Sequence, residues 1–189
     1  MKTLYIERST CESRDGDWVE ELDLEGVERI VVGTGPGSFA GIRSALAFAQ
    51  GYALATHCEV LGLPSACAIA AQVYFSFDHF EHSNIQTFPL AVVGDARQGK
   101  AWVALFDGYR LEKDVFQVNQ DELRGSVPRE RKVVTPDAKR IDGLLKEVFG
   151  ERYLGGQVPT SDGLRRFAEV CPSILKPEPL PIYLNPAVR

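Results

Sequence analysis

The apolar run Val27 to Gly33, VERIVVG, passes straight into a corner of alternate glycines and from there into a helix-forming stretch, VVGTGPGSFAGIRSALAFAQGYAL over Val31 to Leu54. The uninterrupted Ile30-Val31-Val32 predicts a strand covered on both faces. Gly33, Gly35 and Gly37 mark backbone that must turn sharply or lie close to another surface, and Pro36 fixes one dihedral between the last two. Ser38 is placed to cap the helix that follows. Along that helix Phe39, Ile42, Leu46, Ala49 and Ala53 recur at offsets of three and four and predict one buried stripe. A second face, Ala40, Ser44, Ala47 and Gly51, carries only small residues, which let another helix approach closely in a core or across a subunit contact. The helix N-terminus also offers free amides and a positive dipole end. The corner therefore reads as a structural turn, as a surface that positions a partner, or as an anion site.

The rest of the chain continues the alternation of strand and helix. Thr3 to Ile6 predicts a first strand, expected to form a hairpin with a second strand around Trp18 to Leu22 across the polar Ser9 to Asp17. His57 to Leu63 predicts another strand and Ser65 caps a helix over Ala66 to Phe75. Strand, helix, strand, helix argues for α/β layering. The polar stretch Asp78 to Thr87 breaks the periodicity and divides the chain into halves over 1–84 and 85–189. In the second half, Pro89 to Gly94 and Lys100 to Phe106 read as strands flanking a polar turn, Asp95-Ala96-Arg97-Gln98-Gly99. Asp114 to Val118 reads as a third strand, Asp121-Glu122-Leu123 as the start of a short helix, and Lys132 to Thr135 as a strand. Asp137 to Phe149 reads as an amphipathic helix burying Ile141, Leu144, Leu145 and Val148. Gly155-Gly156 reads as an interruption before a last helix over Ser161 to Val170. Five prolines between Pro172 and Pro186 rule out a helical tail.

With 189 residues and 44% apolar content the chain can bury a real core. Its net charge of −5 disfavours holding nucleic acid through its own surface, so any RNA would be held mainly by a partner. Cys11, Cys58, Cys67 and Cys171 lack C-x-x-C spacing and read as free, buried thiols in a reducing compartment. The opening MKTLYIERST is too polar for a secretory signal and no stretch is long enough for a membrane span. A cytoplasmic location is expected.

The usual chemical signatures fail letter by letter. A P-loop needs Lys after its last glycine, where Gly41 is followed by Ile42-Arg43. A dinucleotide fingerprint needs glycine at Ser38, and a hydrolase elbow needs it at Pro36. His79 and His82 have metal-pair spacing but sit in a polar linker without a third ligand. With all three histidines between positions 57 and 82, no nucleophile pairs with one in sequence. Asp95 and Arg97 read as an exposed pair on a hairpin turn, or as a functional acid without a second carboxylate nearby in sequence. Neither catalytic residue, metal ligand nor cofactor is expected. Arg43, the sole cation on the first helix, reads as a solvated charge or an interface anchor.

Together the run Val31 to Leu54, the following Val60-Leu61-Gly62-Leu63-Pro64-Ser65, Asp95-Ala96-Arg97 with Lys100 to Phe106, Gly155-Gly156 and Pro181-Ile182-Tyr183-Leu184-Asn185 resemble the bacterial TsaB (YeaZ) family, with its G-P-G-S-F-T-G-L-R helix start. The resemblance implies an actin-like ATPase-related (ASKHA) α/β fold of two ribonuclease-H-like halves. It also implies a non-catalytic protein that assists threonylcarbamoyladenosine modification of tRNA. Its implied partners are a TsaD-like paralogue, which performs the transfer, and a TsaE-like ATPase; tRNA is met only through the complex, and a homodimer is an alternative pairing. Carried onto this chain, Phe39, Ile42, Arg43, Leu46, Ala47 and Gln50 become interface residues, oriented by Gly33, Gly35, Gly37 and Ser38. Two departures stand out. Glu7-Arg8-Ser9-Thr10 replaces the family's Asp-Thr-Ser-Thr, and about 20 residues separate Thr10 from Ile30 where the family fits more sheet and a long helix. The N-terminal half is therefore expected to be truncated and its pairing surface altered or smaller. A small protease-like hydrolase and a diverged, free-standing homodimer are the rival readings.

Overall fold

Side-chain alternation along two strands sets the layers of this molecule. A computed structural model describes residues 1–10, 19–20, 22–77 and 87–184. In β2 (Val27–Gly33), Ile30 and Val32 point to one side and Val31 to the other, and all three are fully buried. β1 (Lys2–Ile6) and β3 (Glu59–Leu63) flank β2, both parallel to it. α1 (Phe39–Thr56) covers the Ile30/Val32 side through Ile42, Ala45, Leu46 and Ala49. α2 (Ser65–Phe77) lies on the Val31 side.

The second sheet repeats the device. β4 (Pro89–Arg97) and β5 (Lys100–Asp107) form an antiparallel hairpin, edged by the short β6 (Arg110–Leu111) and β7 (Phe116–Asn119), both on β5. Leu90 and Val92 of β4 face α2, whereas Ala91 and Val93 face away. That outer side is covered by α3 (Leu123–Ser126) and α4 (Ala138–Phe149) through Leu123, Ile141, Leu145 and Phe149. β8 (Lys132–Thr135) runs parallel to β4, and β9 (Tyr153–Gly156) parallel to β8.

α5 (Ser161–Val170) then returns between the two sheets to pack on α2, and β10 (Lys176–Pro177) adds an antiparallel strand to β3. Residues 161–184 thus rejoin the first sheet although they follow the second in sequence. The layers are α1, first sheet, α2 with α5, second sheet, and α3 with α4. α2 is buried nearly all round, from Ser65 to Ala71 and again at Val73 and Tyr74, because it has a sheet on either side. Fully burying an aliphatic side chain such as Ile69 there contributes about 1.5–3 kcal/mol. Gly163 permits the helix pair: a Cβ there would lie 2.6 Å from the Ala68 carbonyl oxygen.

Several expectations change. β1 forms no hairpin with a following strand at Val19 and Glu20, which lie in a turn, and its described partner is the parallel β2; Trp18 and Glu21 lie outside the described residues. β4 runs on through Arg97, so the turn is narrower than expected, with Arg97 and Gln98 both left-handed at φ 67° and 53°. Gly155-Gly156 belongs to a strand rather than an interruption. Most of the expected boundary at Asp78 to Thr87, with His79 and His82, lies outside the described residues, as does Cys11. Cys67 is buried, and Cys58 and Cys171 are half-buried free thiols.

Candidate functional site

Short loops and missing side chains let the glycine corner lock onto its neighbours. Thr34 N–H donates to Leu63 O at 2.9 Å, and Gly35 exchanges bonds with Ser65, whose Oγ accepts Gly35 N–H at 3.0 Å and whose N–H donates to Gly35 O at 2.8 Å. Ser38 N–H donates to Ser9 O at 2.6 Å, and Ser38 Oγ caps α1 by accepting Gly41 N–H at 3.3 Å. The Gly35–Pro36 peptide is cis. A Cβ at Gly33 would meet the Glu7 carboxylate, one at Gly37 the Ser9 carbonyl, and one at Gly41 the Arg8 carbonyl. The amides of Gly35, Ser38 and Gly41 are held by this chain's own oxygens, which makes the corner a rigid mount for α1.

Glu7 is the central piece behind the corner. Its Oε1 accepts Ser9 N–H at 2.7 Å and its backbone N–H donates to Ser161 Oγ at 3.2 Å. Burial pushes its carboxyl above the usual carboxylate range, against the opposing hydrogen bonds from Ser9.

The corner aims α1 so that one face is free of the chain's own core. Phe39 is 57% exposed and joins Ala40, Arg43, Ser44, Ala47 and Gln50 on that face, with Gly51 and the exposed Leu54 beyond. Ile42 and Leu46, which the periodicity put in the buried stripe and the resemblance at an interface, are 3% and 5% exposed and belong to the core against β2. Phe39, expected in the buried stripe, stands outside it as the first residue of α1, against Tyr183, while Ala45 joins the buried residues.

Beside the corner a cleft of about 1180 Å³ opens between the two sheets. Its apolar lining includes Ile69, Trp102, Val158 and Ile182; polar residues come from both halves, Ser9, Thr10 and Arg43 on one side and a charged wall from the second half on the other. There Asp95 N–H donates to Asp137 Oδ2 at 2.9 Å, and Asp95 Oδ1 accepts Arg97 N–H at 2.9 Å. Arg97 and Arg140 stand 3.6 and 3.7 Å from Asp95 Oδ2, and Arg140 also stands 3.7 Å from Asp137 Oδ1. Burial raises the Asp137 carboxyl, opposed by the Asp95 amide and by Arg140. Asp137 precedes α4 at the capping position, yet its carboxylate turns to Asp95. Asp95 has a second carboxylate beside it after all, 42 residues away in sequence. Pro136-Asp137 before an amphipathic helix was the available signal, and it speaks of a cap, not of a cleft. Gly94 makes room for the Trp102 indole that lines the cleft, since a Cβ there would strike it.

Among the described residues no three His, Cys, Asp or Glu side chains gather as a metal site, and no helix is long and apolar enough to cross a membrane. His57, the one described histidine, ends α1 far from the corner in a left-handed conformation.

Residues 19–160 match the model of the TsaD family, described as tRNA N6-adenosine threonylcarbamoyltransferase. A search of curated proteins returned no match. Among solved structures, YeaZ from Pseudomonas aeruginosa is 19% identical with a TM-score of 0.68, over 96% of this chain and 99% of that one. A protein described as uncharacterized, with similarity to peptidase YEAZ from Pseudomonas aeruginosa, is 19% identical with a TM-score of 0.64, over 89% of this chain and 80% of that one.

Proposed function

The chain belongs to the TsaD family and has the YeaZ fold, an actin-like α/β arrangement, and on that premise we propose that it serves threonylcarbamoyladenosine modification of tRNA as a non-catalytic assembly subunit. It binds a TsaD-like paralogue through the free face of α1 and holds that partner in its active conformation, while tRNA and a TsaE-like ATPase are engaged by the assembled pair. The observation that carries this reading is the outward face of α1. Ala40, Ser44 and Ala47 stand exposed at helical spacing, with the exposed Phe39 beside Arg43 at one end and Leu54 at the other. Small residues admit a partner helix at close range, and an aromatic beside an arginine is the composition of an interface anchor.

The test is co-purification with the TsaD-like protein of the same organism. We expect a complex at micromolar concentration that is lost on Ala47→Glu, which places a charge in the contact. Two folded proteins that fail to associate at that concentration overturn the reading.

A further inference from the structure

The tail after α5 adds β10 to the edge of the first sheet, and its last described residues reach the rim of the cleft. β10 pairs with β3 at Leu61 and Gly62, and a Cβ at Gly62 would lie 2.6 Å from the Pro179 Cβ, so glycine is what lets the tail pass there. Further on, Ile182 N–H donates to Thr34 O at 2.9 Å, tying the tail to the glycine corner. The Tyr183 ring lies 5.5 Å from that of Phe39, and the Arg43 guanidinium stands 4.9 Å from the same Phe39 ring. Ile182, Tyr183 and Leu184 all line the cleft, as do Phe39 and Arg43. Tyr183 is therefore a wall shared by two surfaces, the cleft inside and the free face of α1 outside. Pro179 is buried against Gly62, but beyond it no residue up to Leu184 is fully buried: Leu180 is 77% and Tyr183 56% exposed, and Pro181, Ile182 and Leu184 are half-buried. Segments with few buried contacts open at a lower free energy than the core.

We propose that Leu180 to Leu184, anchored at Pro179, is a strap with a seated and a lifted state, and that it couples the cleft to the free face of α1. Seated, it closes one wall of the cleft and backs Phe39. Lifted, it opens that wall to solvent and leaves Phe39 and Arg43 without their support. Whatever occupies the cleft and displaces Ile182 thereby alters the α1 face, and whatever engages Phe39 together with Tyr183 alters the cleft by the same factor, because such coupling is reciprocal. The strap is a property of the chain alone and stands or falls separately from the partner reading above.

Native-state hydrogen exchange on the full chain tests it, together with acrylamide quenching of Trp102 in a Trp18→Phe background. The Ile182 amide is expected to exchange through an opening well short of global unfolding. Ile182→Pro removes the N–H that reaches Thr34, and Tyr183→Ala removes the ring on Phe39. Each is expected to raise the Trp102 quenching constant by about threefold and to speed exchange at Gly41 and Ile42, with the core of the second sheet unchanged. Tyr183→Phe, which keeps the ring, should match the parent. The proposal is overturned if the Ile182 amide opens only with global unfolding. It is equally overturned if folded Tyr183→Ala leaves Trp102 quenching and α1 exchange at parent values, and this variant decides the matter should Ile182→Pro fail to fold.

Discussion

At the scale of single residues, the corner depends on backbone approaching backbone. A Cβ at Gly41 would fall on the Arg8 carbonyl, which cannot swing aside as a flexible side-chain tip can. Gly41→Ala is expected to destabilise the chain by about 1–3 kcal/mol, measured by urea denaturation. Glu7 behind the corner makes a pH-dependent contribution. Burial raises its carboxyl pKa in the folded chain, so the folded state holds the proton more tightly than the unfolded state, whose value is about 4.3. Its favourable contribution is complete below that unfolded value and is lost as pH climbs through the folded one. Glu7→Gln keeps an acceptor for Ser9 N–H and has no charge to desolvate. Its melting temperature is expected to exceed the parent's at neutral pH, with the gap closing as pH falls below the carboxylate range. A variant that melts with the parent across the range would contradict this. The left-handed backbone at Gly35 and Gly37 was legible in the sequence, because that constraint is local; the approach of Glu7 to Gly33 and of Ser9 to Gly37 was not. The meeting of Asp95 with Asp137 was not, because nothing within either neighbourhood refers to the other.

At the scale of elements, α1 presents two chemistries on one helix, and two substitutions separate them. Leu46→Ala opens the core against β2 and is expected to cost about 2–5 kcal/mol of stability, read by denaturation. Ala47→Glu, one residue on, faces outward and is expected to change stability by no more than about 0.5 kcal/mol. Equal losses from both would mean that the helix sits in a different rotation. Strong periodicity was readable: β8 and α5 have the bounds expected from the residues alone, and α4 buries Ile141 and Leu145 as its pattern requires. β9 was missed for a physical reason. It is a short edge strand with two glycines, paired to β8 only around Val133 and Thr135, and it carries no alternation to read. The initial hairpin failed because propensity marks a strand without naming its neighbour.

At the scale of the whole molecule, α2 and α5 form a middle layer that both sheets need. Leu90, Val92, Ala104 and Phe106 from the second sheet share one core with Val31, Leu61 and Leu63 from the first, through α2 and through Leu164 and Phe167 of α5. The chain is therefore expected to unfold in one transition, with Trp102 fluorescence and far-UV circular dichroism coinciding in urea. Two separated transitions would show that the sheets unfold apart. The sequence by itself determined the α/β class, the strand, corner and helix at Val27 to Leu54, and the inventory of apolar faces, since steric limits and periodicity act over a few residues. Only the tertiary structure decided that Phe39 leaves the buried stripe of α1, that a carboxylate pair faces the cleft, and that the tail returns to the glycine corner. Each of these is a contact between segments far apart in the chain, selected by how the layers fill space together rather than by any local preference.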